Sequence, residues 1–245
     1  MSTEKKVALI TGANRGLGFE TARQLGQQGI TVLIGARNEK AGTEAAETLR
    51  GEGIDAQFLH LDVTAASTHS NAAKFIEEKF GKLDILINNA GILQDYGVKI
   101  SEAPVANWRN TFETNVFSVI ELTQTLLPLL KKSDAGRIVN LSSILGSLTL
   151  NRDPNSPIAA SNSYNTSYDA SKAALNMFTV HLAHELKDTP IKVNSAHPGW
   201  VKTDMGGEAA PMEIVDGAKT SVALATLSAD GPTGAFIHLG EELPW

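Results

Sequence analysis

At 245 residues, with 42% hydrophobic and 20% charged side chains, the chain has an ordinary globular composition and the length for one large domain with a full core. A net charge of -6 without a basic stripe excludes a general nucleic-acid binder, and the lack of cysteine excludes disulfides and thiolate metal sites. No apolar run approaches the ~20 residues that span a bilayer, so no membrane partner is expected.

The start, MSTEKKVALI, reads as a short polar lead into a strand without a signal peptide's apolar stretch, so a cytoplasmic location is expected. Aliphatic and β-branched runs at 7–11, 31–35, 56–61, 83–88, 137–141, 192–196 and 235–239 then read as strands. Most are apolar throughout, which suits strands buried on both faces of a parallel sheet. Amphipathic segments such as 19–28, 40–51 and 70–80 alternate with them. That alternation implies right-handed crossovers. The expected fold is a single doubly wound, Rossmann-type α/β domain over residues 1–245, a seven-stranded parallel sheet with helices on both faces. The one irregular stretch, 150–165, is rich in Asn, Ser and Pro and reads as a loop.

Between the first strand and first helix lies Thr11-Gly12-Ala13-Asn14-Arg15-Gly16-Leu17-Gly18. Glycines let a backbone turn tightly against a pyrophosphate, and a helix N-terminus offers free N–H groups to its charge. The spacing is G-x-x-x-G-x-G rather than G-x-G-x-x-G. After the second strand, where a site for NAD keeps an acidic residue for the ribose, this chain has Gly35-Ala36-Arg37-Asn38. Arg37, joined by Arg15, would clamp a 2′-phosphate with forked hydrogen bonds and favours NADP(H).

Farther on, Tyr168 and Lys172 stand four residues apart, on one face of a helix. A free tyrosine titrates near ~10, and a neighbouring cation favours its phenolate, so such a pair can exchange a proton with an alcohol or carbonyl oxygen.

With these motifs the chain resembles the short-chain dehydrogenases/reductases over nearly all its length. The family's T-G-x-x-x-G-x-G turn is matched by Thr11 to Gly18, which implies cofactor contacts at Gly12, Asn14, Arg15, Gly16, Leu17 and Gly18. Its N-N-A-G stretch is Asn88-Asn89-Ala90-Gly91, and Asp62 with Val63 match the adenine-contacting position. Pro198, Gly199, Val201 and Thr203 match the segment that holds the nicotinamide carboxamide. The catalytic positions correspond to Asn115, Ser143, Tyr168 and Lys172. The resemblance implies that Tyr168 is the general acid or base and that Ser143 donates to the reacting oxygen. Lys172 would lower the tyrosine pKa and bind the nicotinamide ribose, and Asn115 would hold a water linking Lys172 to solvent.

Ser143 and Tyr168 are 25 residues apart, a longer spacing than is common in the family, because of the polar loop at 150–165. That insertion, Gly35-Ala36-Arg37 and the ending Leu243-Pro244-Trp245 resemble the group of carbonyl reductases and menthone and salutaridine reductases, whose insertion is generally longer. The implied activity is NADPH-dependent reduction of a ketone or aldehyde, with NADPH/NADP+ as cofactor and a small hydrophobic carbonyl compound as substrate. An insertion beside the helix of Tyr168 favours a monomer over a homodimer. The substrate would be lined by segments 93–99, 144–164 and 200–212, with Tyr96, Leu145, Trp200 and Met205 as an apolar wall, and 206–211 reads equally as a lid over bound cofactor or an ordinary surface loop.

Other signals are structural. His181, His184 and Glu185 lack a further ligand, so no metal is expected; His197 has a structural role, and Trp108 packs near the core. The competing readings are an alcohol, steroid or sugar dehydrogenase working mainly in the oxidative direction and a non-catalytic NADP(H)-sensing protein. A Rossmann-type methyltransferase fits poorly, since it leaves the Tyr-x-x-x-Lys pair without a role.

Overall fold

The computed structural model describes residues 5–159 and 165–245. The first four residues of the polar lead lie outside this, as does 160–164 with Tyr164 of the expected substrate lining. Strands β1 (Val7–Thr11), β2 (Thr31–Ala36), β3 (Ala56–His60), β4 (Ile85–Asn88), β5 (Arg137–Leu141), β6 (Lys192–Ala196), β7 (Phe236–His238) and β8 (Glu241–Glu242) form one sheet. Their spatial order is β3-β2-β1-β4-β5-β6-β7-β8, and the first seven run parallel. β1 and β2 are buried along their whole length, as their unbroken apolar runs require.

Helices α1 (Gly16–Gln27), α2 (Glu39–Gly51), α3 (Ala66–Phe80), α4 (Val105–Phe112), α5 (Ser118–Leu130), α6 (Leu148–Arg152), α7 (Thr166–Glu185) and α8 (Ile214–Ala225) make the connections. Strand side chains alternate between two cores. Ala8 and Ile10 of β1 join Ala22 and Leu25 of α1, Leu49 of α2 and Val222 of α8 on one face. Val7 and Leu9 join Ile76 of α3, Leu122 and Leu126 of α5 and Leu182 of α7 on the other. Among the described residues no helix is long and apolar enough to cross a membrane.

The sheet departs from the seven-stranded expectation. β8 turns back antiparallel to β7, pairing Ile237 with Glu242 and His238 with Glu241. Between them Leu239 and Gly240 both have positive φ, 47° and 92°, the backbone that a two-residue hairpin needs. Because Leu239 takes the left-handed turn position, the strand expected to run to 239 stops at His238. The expected loop at 150–165 also begins as helix, since α6 extends to Arg152, capped by Ser147 Oγ accepting the Leu150 N–H at 3.1 Å.

The order reverses between β1, from which β2 and β3 run one way, and β4, from which β5 to β7 run the other. In a doubly wound sheet the crevice at the carboxyl ends beside this switch point is where a ligand binds. The glycine turn, Arg37, Asp62, Asn89 to Gly91, Ser143 and the segment after His197 all follow the carboxyl ends of strands.

Candidate active site

The glycine turn is built for close approach. Gly12 and Gly16 have φ of 63° and 57°, and a Cβ on Gly18 would lie 2.5 Å from Asn89 Nδ2 and 2.7 Å from the Gly12 carbonyl oxygen. Asn89 Nδ2 donates to the Thr11 carbonyl at 2.7 Å and the Gly12 carbonyl at 3.3 Å. Thr11 Oγ1 accepts the Asn89 and Ala90 N–H groups at 3.0 and 2.9 Å. Asn89 therefore braces the turn from β4, and Thr11, for which the sequence suggested no role of its own, ties the two loops together. Helix α1 starts without a side-chain cap and with no acidic residue in its first turn, which leaves its N-terminus open to an external anion.

Around the adenosine end, Arg37 is exposed at the end of β2, and Asn38 Oδ1 caps α2 through the Ala41 N–H. Asp62 Oδ1 accepts the Thr64 N–H and hydroxyl at 3.0 and 2.8 Å. Burial pulls the Asp62 carboxyl upward, but these bonds with the charges of Arg37 and His60 outweigh it and hold its pKa below the usual value. The Val63 carbonyl is bonded by the buried His69 Nε2 at 2.9 Å. Arg15, the second arginine expected at the 2′-phosphate, has a carboxylate partner of its own. It pairs with Asp204, 2.6 Å away in the segment after β6, where both side chains are exposed. No carboxylate stands where a ribose acceptor would, so the residues present fit a dinucleotide with a 2′-phosphate.

At the catalytic end, Ser143, Tyr168 and Lys172 are all buried and meet in one place. Ser143 caps a 3₁₀ turn, Ile144–Gly146, where its Oγ accepts the Leu145 N–H at 3.2 Å. That bond uses one lone pair and leaves the hydroxyl proton free to donate, and Ser143 lies close enough to Tyr168 to favour its phenolate. Ser142, the neighbouring candidate, is committed elsewhere, donating to Asn176 Oδ1 at 2.6 Å. Tyr168 and Lys172 lie on α7, with Lys172 Nζ 5.4 Å from the phenol ring centre and donating to the Leu141 carbonyl at 2.7 Å.

Burial pushes the Tyr168 phenol up to about 12, against the lowering by the Ser143 hydrogen bond and with the help of Asp169's charge. Burial also brings Lys172 down to about 8. Burial is the largest influence on both groups, so loss of water rather than the neighbouring lysine sets the phenol in this structure.

Asn115 sits not in a regular helix but in a π-helical turn, Glu113–Phe117, between α4 and α5. Fully buried, it accepts the Ile92 N–H at 2.8 Å and donates to the Ile92 carbonyl at 2.9 Å and Ser171 Oγ at 3.0 Å. Both Nδ2 hydrogens are thus committed, and Asn115 clamps the loop following Gly91 to α7.

Gly199 has φ of 93°, where a Cβ would lie 2.7 Å from Met212 Sδ, and Val201 bridges to Met212. Thr203 Oγ1 accepts the Gly206 N–H at 3.1 Å, and Trp200 Nε1 donates to the Gly206 carbonyl at 2.8 Å, so the segment read as lid or loop is folded back as a turn. Tyr96, Trp200 and Met205 are exposed, with Leu145 half-buried. Trp108, half-buried, stacks on Phe112. Among the described residues no group of three His, Cys, Asp or Glu side chains gathers as a metal site.

A family model described as short chain dehydrogenase matches residues 6–214. Short-chain dehydrogenase/reductase 1 of Saponaria officinalis is 36% identical, over 99% of this chain and 97% of that protein. Salutaridine reductase of Papaver bracteatum is 34% identical, over 98% of this chain and 96% of that one. The crystal structure of NADPH-bound carbonyl reductase from chicken fatty liver matches with a TM-score of 0.86 at 29% identity, over 99% of this chain and all of that one, 100%.

Proposed function

The chain belongs to the short-chain dehydrogenase family, and we propose that it is an NADP(H)-dependent reductase converting a ketone or aldehyde to an alcohol. The observation that carries this reading is that Ser143, Tyr168 and Lys172 are buried together, with Lys172 Nζ 5.4 Å from the Tyr168 ring, beyond the carboxyl end of β5. The names of relatives, salutaridine reductase and carbonyl reductase among them, support it.

When bound, the cofactor supplies or accepts a hydride. Gly12 to Gly18 would hold its pyrophosphate, Arg37 its 2′-phosphate and Lys172 its nicotinamide ribose. Asp62 and Val63 would lie by the adenine, with Asn89, Ala90, Gly91 and Pro198 to Thr203 completing the site toward the carboxamide. Ser143 donates to the substrate's carbonyl oxygen and fixes it beside Tyr168, which gives that oxygen its proton as negative charge develops.

Burial pushes the Tyr168 phenol up to about 12, so it holds its proton at neutral pH, the form needed to protonate an oxygen. The preference for reduction rests on Arg37 and the NADPH it favours. Tyr96, Trp200 and Met205 suit a hydrophobic carbonyl compound.

The test is NADPH consumption over a panel of aldehydes, ketones and diketones, with NADH and Tyr168→Phe as controls. Turnover preferring NADPH and falling by a thousandfold or so in the variant is expected. NADPH binding without turnover would favour the sensing alternative, and preference for NADH would overturn the role of Arg37.

A further inference from the structure

We propose that His197 is a positioning residue for Ser143: its imidazole Nδ1 accepts the Ile144 N–H and so holds the turn that carries the serine hydroxyl to Tyr168. This rests on the reading of Ser143 and Tyr168 given above. The first N–H groups of any helical turn lack partners within it. Here Ser143 Oγ takes the Leu145 N–H at 3.2 Å, and His197 Nδ1 takes the Ile144 N–H at 3.3 Å. Two adjacent amides of the turn are thus satisfied by two side chains, one the reacting-site serine itself.

A ring nitrogen that accepts from an N–H carries no proton, so His197 is neutral with its hydrogen on Nε2. Its surroundings keep it so, since burial and then the charge of His238 bring it down to about 3. The ring is firmly seated. The His197 N–H donates to the Ile237 carbonyl at 2.8 Å, and the His197 carbonyl is bonded by His238 Nδ1 at 2.9 Å. The two rings lie 4.8 Å apart, and the Ser142 N–H donates to the Ala196 carbonyl at 2.8 Å. His197 therefore joins β7, β6 and the serine turn, and it directly precedes the Pro198-Gly199 segment. Without its acceptor the Ile144 N–H is left unpaired in a partly buried place, and the turn gains by rotating that amide toward any other partner. Ser143 moves with it.

A packing role needs only the ring's volume, whereas positioning needs an acceptor where Nδ1 lies. His197→Leu fills the space without an acceptor. His197→Asn places a carboxamide oxygen the same number of bonds from Cβ as Nδ1. Removing a transition-state donor outright lowers kcat by about 100- to 1000-fold, so displacing one is expected to lower it by about 30-fold in His197→Leu. His197→Asn is expected to recover most of that loss, with NADPH affinity within about threefold of wild type in both, since no phosphate or glycine-turn contact changes. Amide hydrogen exchange at Ile144 is expected to quicken by about tenfold or more in the leucine variant but not in the asparagine variant. Should His197→Leu not fold, His197→Gln, whose oxygen lies one bond farther out, takes its place. A leucine variant with wild-type kcat and wild-type exchange overturns the proposal, as does an asparagine variant impaired as deeply as leucine. If the wild type turns over nothing on the panel, the reductase reading fails, while exchange at Ile144 still decides the role of His197.

Discussion

Gly146→Ala separates the serine turn from the helix of the tyrosine, and its effect can be worked out from distances. A Cβ on Gly146 would lie 2.7 Å from the Lys172 carbonyl carbon, 2.8 Å from Lys172 Cβ and 2.9 Å from the Ala173 nitrogen. Non-bonded carbons settle at ~3.5–4.0 Å, so turn and helix must part by roughly 0.8–1 Å. None of the three atoms is the far end of a flexible side chain. They belong to the middle of α7, which is 20 residues long and anchored by buried Leu175, Thr179 and Leu182, so the movement falls on the turn. Ser143 then retreats from Tyr168. A misplacement of ~1 Å costs on the order of 100-fold in rate, and the crowding itself costs about 1–3 kcal/mol of stability. The expected result is kcat down about 100-fold by NADPH consumption, an NADPH dissociation constant within about threefold of wild type by fluorescence titration, and earlier urea unfolding. A folded Gly146→Ala enzyme with wild-type kcat would refute the idea that this contact sets the Ser143–Tyr168 geometry.

Asp169 gives a stability prediction with a definite sign. Burial, and then the charge of Asp95, raise its carboxyl from 3.8 to about 7, and Oδ1 of each acid is buried without a partner among the described residues. The folded state therefore holds a proton that the unfolded chain loses, so this contribution is fully present below pH ~4 and lost as pH rises through 7. Asp169→Asn, which cannot ionise and can donate to Asp95, is expected to be more stable than wild type above pH 7 by on the order of 1–2 kcal/mol, allowing for partial exposure. The advantage should vanish near pH 4, and melting curves whose difference stays flat from pH 4 to 8 would contradict it. Arg137, buried at the start of β5, donates to the carbonyls of Leu227, Ser228, Pro190 and Gly136. Arg137→Met leaves several of them unpaired and is expected to lower unfolding stability by about 3 kcal/mol or more; a loss under about 1 kcal/mol in urea titration would show that water replaces the guanidinium.

The alternation of apolar strands and amphipathic helices, the glycine turn and the Tyr168–Lys172 pair are local patterns, and all could be read along the chain because strand burial, turn conformation and helical facing depend on near neighbours. The eighth strand was not legible: two residues make a strand only because Leu239 and Gly240 adopt a hairpin turn against β7. The family pattern picked Ser143 over the adjacent Ser142, but the engagement of Ser142 by Asn176 of α7 is a tertiary contact. Asn115 could be marked as a site residue, yet its π-helical turn and its clasp on Ile92 appear only once two loops meet. Arg15 was assigned to a phosphate from its place in the turn, and its pairing with Asp204 depends on a segment 189 residues away. The tyrosine shows the division most plainly. Sequence supplied the phenol and its cation at the right spacing, but the pKa of each is ruled by exclusion of water, and how much water is excluded is a property of the packed whole.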